Sequence, residues 1–229
     1  MSRVATVLLA GASGLVGGHV LAQLLALPDG PRVVGPVRRA MDVSSPRWVA
    51  IPSELAPAGD GDLRDALLGE AATFDAFVCC LGSTMKKSGT REAFLAVDRD
   101  LVLRLAGMAR ELGARQAILV SSVGASAQSG NFYLRVKGET ERELGELGFE
   151  RTDVLRPGLL LGDRSESRPG EAFARALAPL TNALMLGPLR RYRGIAATDV
   201  AAAAIALLGR DEPGRHVHEN ADLVALAAT

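Results

Sequence analysis

Cysteine is nearly absent: the chain has two among 229 residues, and they are neighbours, Cys79 and Cys80. Adjacent residues on a strand point to opposite faces, so the pair reads as small buried side chains rather than a disulfide. Histidine is almost as scarce, and His19, His216 and His218 show no ligand spacing with cysteine or acidic partners. No metal site is expected. A charge surplus is missing too, with 26 basic against 26 acidic residues. A general nucleic-acid binder needs a basic surplus, and the densest groups here are only Arg38-Arg39, Lys86-Lys87 and Arg190-Arg191. No nucleic-acid partner is expected. No apolar run reaches the roughly 18 residues of a membrane span; Ala201 to Leu208 is too short. The apolar N-terminus lacks a basic leader region and runs straight into a glycine motif, which reads as a strand rather than a signal peptide. These absences predict a reduced, cytoplasmic protein with no membrane partner.

The composition is that of a globular protein: 48% apolar and 23% charged residues, in a chain long enough for one large α/β domain. Short apolar runs alternate with helical patterns. Strands are expected at Val4–Ala10, Arg32–Val37, Arg47–Ile51, Phe74–Leu81, Gln116–Ser121, Thr152–Leu155 and His216–Glu219. Helices are expected at Gly14–Leu27, Leu63–Leu68, Thr90–Leu112, from an Asn131 cap to about Leu147, and at Thr198–Leu208. The long one carries Phe94, Val97, Leu101, Leu105 and Met108 as its apolar stripe. Strand–helix alternation predicts an α/β fold of the Rossmann type, a doubly wound parallel sheet. No repeat or linker divides the chain. A single NAD(P)-binding Rossmann domain over 1–229 is expected, with 159–197 as a small substrate-covering excursion towards the C-terminus.

Gly11-Ala12-Ser13-Gly14-Leu15-Val16-Gly17 comes after the first strand and opens the first helix. Glycines there let the backbone turn tightly and bring a helix N-terminus against a pyrophosphate, whose charge the exposed N–H groups favour. The motif has no Gly-Lys-Ser/Thr ending, which excludes a P-loop. An acidic residue after the second strand would accept the ribose hydroxyls of NAD; here Arg38 and Arg39 stand instead, and guanidinium suits a 2′-phosphate. NADP(H) is therefore expected as the preferred cofactor, with NAD(H) possible. Asp62-Leu63 is expected beside the adenine, and Leu81-Gly82-Ser83 near the ribose and phosphates.

Tyr133 and Lys137 are four apart on a helix and so share a face. An ammonium beside a phenol stabilises the phenolate, which makes the phenol a usable proton donor near neutral pH. A serine pair, Ser121-Ser122, precedes the tyrosine. Tyr-x-x-x-Lys alone is a weak signal; joined to the glycine motif and the serines it becomes a strong one.

Together these residues resemble the short-chain dehydrogenase/reductase superfamily in its extended and atypical branches. The stretches 79–84, 97–103, 131–139 and 156–171 look like its Tat-interacting-protein group. The resemblance implies that Gly11, Ser13, Gly14, Leu15, Val16 and Gly17 hold the pyrophosphate and that Pro157, Gly158 and Leu159 meet the nicotinamide end. It implies that Tyr133 is the acid/base, that Lys137 binds the nicotinamide ribose and favours the tyrosinate, and that Ser122, with Ser121 as fallback, polarises the substrate. Asp98 departs from the pattern, since many extended members carry Asn there. The expectation is an NADP(H)-binding oxidoreductase acting on a carbonyl or alcohol of a small-molecule substrate. A regulatory protein that senses NADP(H) without turnover, and a nucleotide-sugar epimerase or dehydratase, stand as alternatives. A homodimer or a regulatory protein partner is possible. Asp163 to Gly170, with Arg164, Glu166 and Arg168, is expected to fold over the nicotinamide end.

Overall fold

The computed structural model describes residues 4–56, 59–162 and 187–229. Alternation of side chains along the first strand sets the architecture. In β1 (Thr6–Ala10) every residue from Val7 to Ala10 is buried, but on two different sides. Val7 and Leu9 pack with Val20, Leu24, Ala201 and Ala204; Leu8 and Ala10 pack with Leu63, Phe77, Leu105 and Leu144. A strand buried on both faces needs a helix layer on each, and that is the signature of a parallel sheet.

The other strands of the sheet are β2 (Arg32–Val37), β3 (Trp48–Pro52), β4 (Ala76–Cys79), β5 (Gln116–Val120), β6 (Arg151–Arg156) and, last in the chain, β9 (Gly214–Glu219). The seven lie in the order β3-β2-β1-β4-β5-β6-β9, and all neighbours run parallel. One face carries α1 (Leu15–Ala26), α7 (Ala197–Leu207) and α8 (Asn220–Ala227); the other carries α2 (Asp60–Glu70), α5 (Val102–Glu111) and α6 (Phe132–Glu146). The order reverses between β1 and β4. In doubly wound sheets the crevice beyond the carboxyl ends of the strands at that reversal is where ligands bind. A separate two-stranded pair, β7 (Leu160–Leu161) with β8 (Ile195–Ala196), lies within the stretch read as the substrate-covering excursion.

The long helix and the C-terminal end of the chain differ from expectation. The helix expected over Thr90–Leu112 is interrupted: after α3 (Met85–Ser88), α4 (Arg91–Leu95) passes into a π-helical stretch, Ala96–Leu101, and only then into α5. A π turn takes in an extra residue and so rotates the residues beyond it. Val97 is thereby left half-buried while Asp98 is wholly enclosed. Helix α8 is the second difference, since the sequence pattern gave no sign of it. A capping box starts it: Glu219 accepts from the third helical N–H, and Asp222 accepts from the Glu219 N–H.

At the amino end of the sheet, away from the strand carboxyl ends, a buried polar cluster joins β5, β6 and β9. Arg151 grips Asp153 with two hydrogen bonds of 2.7 Å, and Gln116 adds one of 2.8 Å. The His218 ring stands 2.9 Å from the same carboxylate. Burial opposes ionisation of Asp153, but the hydrogen bonds from His218, Arg151 and Gln116 outweigh it and hold the carboxyl below its ordinary 3.8. A carboxyl depressed in the fold adds stability that is complete above the unfolded value and is lost as pH falls through the folded one. In thermal melts taken from pH 7 downward, wild type should therefore lose stability below about pH 4 more steeply than Asp153→Asn. Parallel curves would remove this cluster from the acid response.

Candidate functional site

The glycine turn is built by close approach. Gly11 has φ +84°, a left-handed conformation suited to glycine, and a Cβ there would stand 2.8 Å from the Cys80 carbonyl carbon. The Gly14 N–H donates to the Gly11 carbonyl at 2.9 Å, which closes the turn. Gly17 lies so near that carbonyl that a Cβ would overlap it. Helix α1 thus starts hard against the end of β1, with Gly14 as an N-cap that makes no side-chain hydrogen bond. Its first-turn N–H groups are left for a ligand.

In front of this turn lies a cavity of about 610 Å³, within the usual range for small-molecule sites. Ser13, Gly14, Leu15 and Val16 line it from α1, and Leu81, Gly82 and Ser83 from the end of β4. Tyr133 and Lys137 line it from α6. The fold therefore brings the two sequence motifs, over a hundred residues apart, to one space. Asn131 caps α6 through a 3.2 Å bond from the Leu134 N–H, which sets where the helix begins and hence which residues face inward. The Tyr133 ring packs against Phe94 with centroids 5.5 Å apart.

Lys137 is buried and its Nζ lies 2.8 Å from Asp98 Oδ1. Burial alone would draw the ammonium down, but the charges of Asp98 and Tyr133 and the bond to Asp98 outweigh it, so its pKa is raised. Burial pushes the Cys79 thiol, beneath the site, up to about 12 and also raises that of Cys80, which lines the cavity, so both stay as unreactive thiols.

Of the two serines, Ser121 lines the cavity and Ser122 does not. The Ser121 hydroxyl donates to Glu141 Oε1 at 2.5 Å, and Arg156 and Arg215 hold the far side of that carboxylate at 2.6 and 3.0 Å. The Ser121 proton is thus committed. Ser122, half-buried, has only a long 3.4 Å contact to the Val123 carbonyl and keeps a donor to spare.

Other expected residues fall elsewhere. Arg38 and Arg39 are exposed immediately after β2 and do not line the cavity. Asp62 and Leu63 sit in the first turn of α2, not beside the cavity: Leu63 is 3% exposed and packs in the core, and Asp62 faces solvent. The core claims Leu63, which leaves it no side chain to offer an adenine. Pro157 accepts from the Val123 N–H at 3.0 Å and Gly158 donates to Asn220 at 3.0 Å, which seats this turn beside the serines. Leu159 points outward at 59% exposure, and Leu160 is the neighbour that lines the cavity. The span Asp163–Gly170 lies outside the described residues. Thr84, Lys87, Gly18 and His19 also line the cavity; nothing in their spacing marked them. Tyr192 likewise carried no sequence signal. It stands next to Arg191, whose guanidinium stacks over its ring at 5.0 Å, and its hydroxyl faces Gly124, two residues beyond Ser122. Among the described residues no cluster could hold a metal ion and no helix is long and apolar enough to cross a membrane.

Residues 7–143 match the model of the NAD dependent epimerase/dehydratase family. The chain belongs to that family. Its relatives include Protein HTATIP2 of Rattus norvegicus, 38% identical over 170 residues, with 74% of this chain and 69% of the relative covered. Protein fmp52, mitochondrial, of Emericella nidulans is 38% identical over 175 residues, covering 76% and 75%. In three dimensions the fold matches a short chain dehydrogenase family protein from Francisella tularensis with a TM-score of 0.67 at 14% identity, over 96% of this chain and 99% of that one. The UDP-Glc/GlcNAc 4-epimerase of Campylobacter jejuni gives 0.63 at 14% identity, over 96% and 82%. The likeness to the Tat-interacting-protein group is thus borne out by sequence and that to the short-chain dehydrogenases by fold, and the family is an NAD dependent one. The cytoplasmic location expected from the sequence is corrected by the fungal relatives, which are named as mitochondrial proteins. The core elements of a Rossmann fold carry no address, so their composition was no guide to compartment.

Proposed function

We propose that the chain is an NADP(H)-binding oxidoreductase that reduces a carbonyl or oxidises an alcohol. One observation supports this above all: Tyr133 and Lys137 open onto the cavity that the glycine turn bounds. The turn suits a pyrophosphate, since a Cβ at Gly11 or Gly17 would meet main chain, so only glycine lets α1 start against β1 with its first N–H groups open. The first turn of α1 would hold the pyrophosphate, and Lys137 the ribose near the nicotinamide. The bound dinucleotide would supply the hydride. In the reductive direction Tyr133 gives a proton to the carbonyl oxygen, while Ser122, whose hydroxyl is uncommitted but set outside the cavity lining, would have to turn towards that oxygen to orient it. Lys137, kept cationic by Asp98, favours the tyrosinate that remains. A panel of aldehydes and ketones followed by NADPH absorbance tests this; no turnover with any of them, by a chain that binds NADPH, would favour a sensing role instead.

Arg38 and Arg39, exposed past β2 and unconsumed by the core, would meet the 2′-phosphate. Losing a charge-assisted hydrogen bond costs about 1.5–3 kcal/mol. Calorimetry should show NADPH bound more tightly than NADH, and Arg38→Ala should lower NADPH affinity roughly tenfold or more while leaving NADH almost unaffected. Equal wild-type affinities would overturn the preference.

The family's description favours a second reading, an epimerase or dehydratase on a nucleotide sugar. Such a reaction restores its cofactor in each cycle, so product would form with no net change in NAD(P)H absorbance.

A further inference from the structure

Asp98 is wholly buried; Ser83 donates to one of its carboxylate oxygens, and the Lys137 ammonium makes an ion pair with the other. Ser83 offers its backbone N–H at 2.9 Å and its hydroxyl at 2.7 Å, both to Oδ2. The Lys137 ammonium forms an ion pair with Oδ1 at 2.8 Å. Because the Ser83 proton goes to Asp98, the 2.6 Å contact between Ser83 and Ser88 must have Ser88 as donor. Helix α6 holds the same residue a second time, through the Thr140 hydroxyl on the Asp98 backbone carbonyl at 3.0 Å. The pair lies directly under the cavity wall: a Cβ at Gly82 would stand 3.5 Å from Lys137 Nζ and 3.6 Å from Asp98 Oδ1.

An amide could not serve here. Asparagine has one acceptor oxygen and an NH₂ that only donates. With its oxygen towards Ser83, the NH₂ would face the ammonium; with the oxygen towards Lys137, the NH₂ would face the Ser83 N–H. Only a carboxylate accepts on both sides. We infer that Asp98 is a positioning residue: its carboxylate joins the Leu81–Ser83 wall to Lys137 and fixes the ammonium at the cavity before any ligand enters. The inference builds on the proposed function, because it assigns Lys137 to the cofactor.

Titratable groups facing Lys137 are Asp98 from the π-helical stretch, Tyr133 from its own helix and Cys79 from β4, the last a neutral thiol. Without Asp98 the largest remaining influence on the ammonium is burial, which pulls it down. Each pH unit above its ionisation then removes about tenfold of the charged form.

Two experiments test the clamp. NADPH affinity is measured by fluorescence at pH 7 and pH 9 for wild type, Asp98→Asn and Lys137→Met. Wild type should change less than about twofold, Asp98→Asn should weaken by a clearly larger factor, and Lys137→Met, with no ammonium to lose, should be weak and flat. Parallel curves for wild type and Asp98→Asn would overturn the inference. In the second, the free chains are melted, with the double variant Asp98→Asn/Lys137→Met added. In the double variant the amide oxygen can turn to Ser83 with no ammonium behind it, so it should melt above Asp98→Asn. This holds even if Asp98→Asn itself fails to fold. Additive losses, or a double variant that does not fold, would overturn the clamp. If wild type binds no dinucleotide, the proposed function fails and melting alone judges the clamp.

Discussion

Tyr133→Phe should abolish most turnover while leaving NADPH affinity within about twofold of wild type. The ring and its packing on Phe94 remain, and only the hydroxyl of this cavity-lining residue goes. Positioned acid–base groups contribute roughly 10²–10⁴-fold to rate, so kcat should fall by that factor on any substrate the wild type reduces. Steady-state kinetics paired with a binding titration reads both quantities. Near-wild-type kcat in the variant would place the proton source elsewhere, and Ser122 would be the next residue to change. A joint loss of affinity and rate would instead mean that the hydroxyl holds the cofactor or the fold.

Gly17→Ala should damage both the fold and the cofactor site. The added methyl would overlap the Gly11 carbonyl oxygen and crowd Ala12, so the obstacle is main chain and cannot swing aside. Relief requires α1 to back away from the end of β1, which opens the turn and displaces the N–H groups meant for the pyrophosphate. Overpacking costs about 1–3 kcal/mol, or about 6–12 °C in melting temperature at the upper end for a chain of this size. NADPH affinity should fall by more than tenfold, since the displaced turn would lose several charge-assisted bonds of about 1.5 kcal/mol or more each. Gly18→Ala is the matched control: a Cβ there would meet the Ala12 carbonyl at an ordinary 3.6 Å. If Gly17→Ala melts like Gly18→Ala and binds NADPH like wild type, the close approach of α1 to β1 does not matter to the site.

The sheet was legible in the sequence because its strands are short, apolar and enclosed on both faces. Val4–Ala10, Gln116–Ser121 and Arg32–Val37 fall within one or two residues of β1, β5 and β2. The same holds for the glycine turn and for the Tyr133–Lys137 face, since close approach and helical period are local properties written into neighbouring residues. Which serine has a free proton was not legible. It depends on Glu141, twenty residues on, and on Arg156 and Arg215 from two other strands.

Asp98 shows the division most clearly. By sequence it was only a departure from the Asn that the resemblance implies, beside an apolar stripe that runs from Phe94 to Met108. The π turn rotated it inward, and the parallel order of β1, β4 and β5 set the Ser83 loop and α6 on either side of it. Leu63 went the other way, from an expected ligand contact into the core. By itself the sequence determined the Rossmann sheet, the nucleotide turn and the pairing of tyrosine with lysine, because each rests on spacing between near neighbours. The tertiary structure decided which polar atoms are left free for a ligand, because burial and hydrogen-bond partners come from residues far apart in the chain.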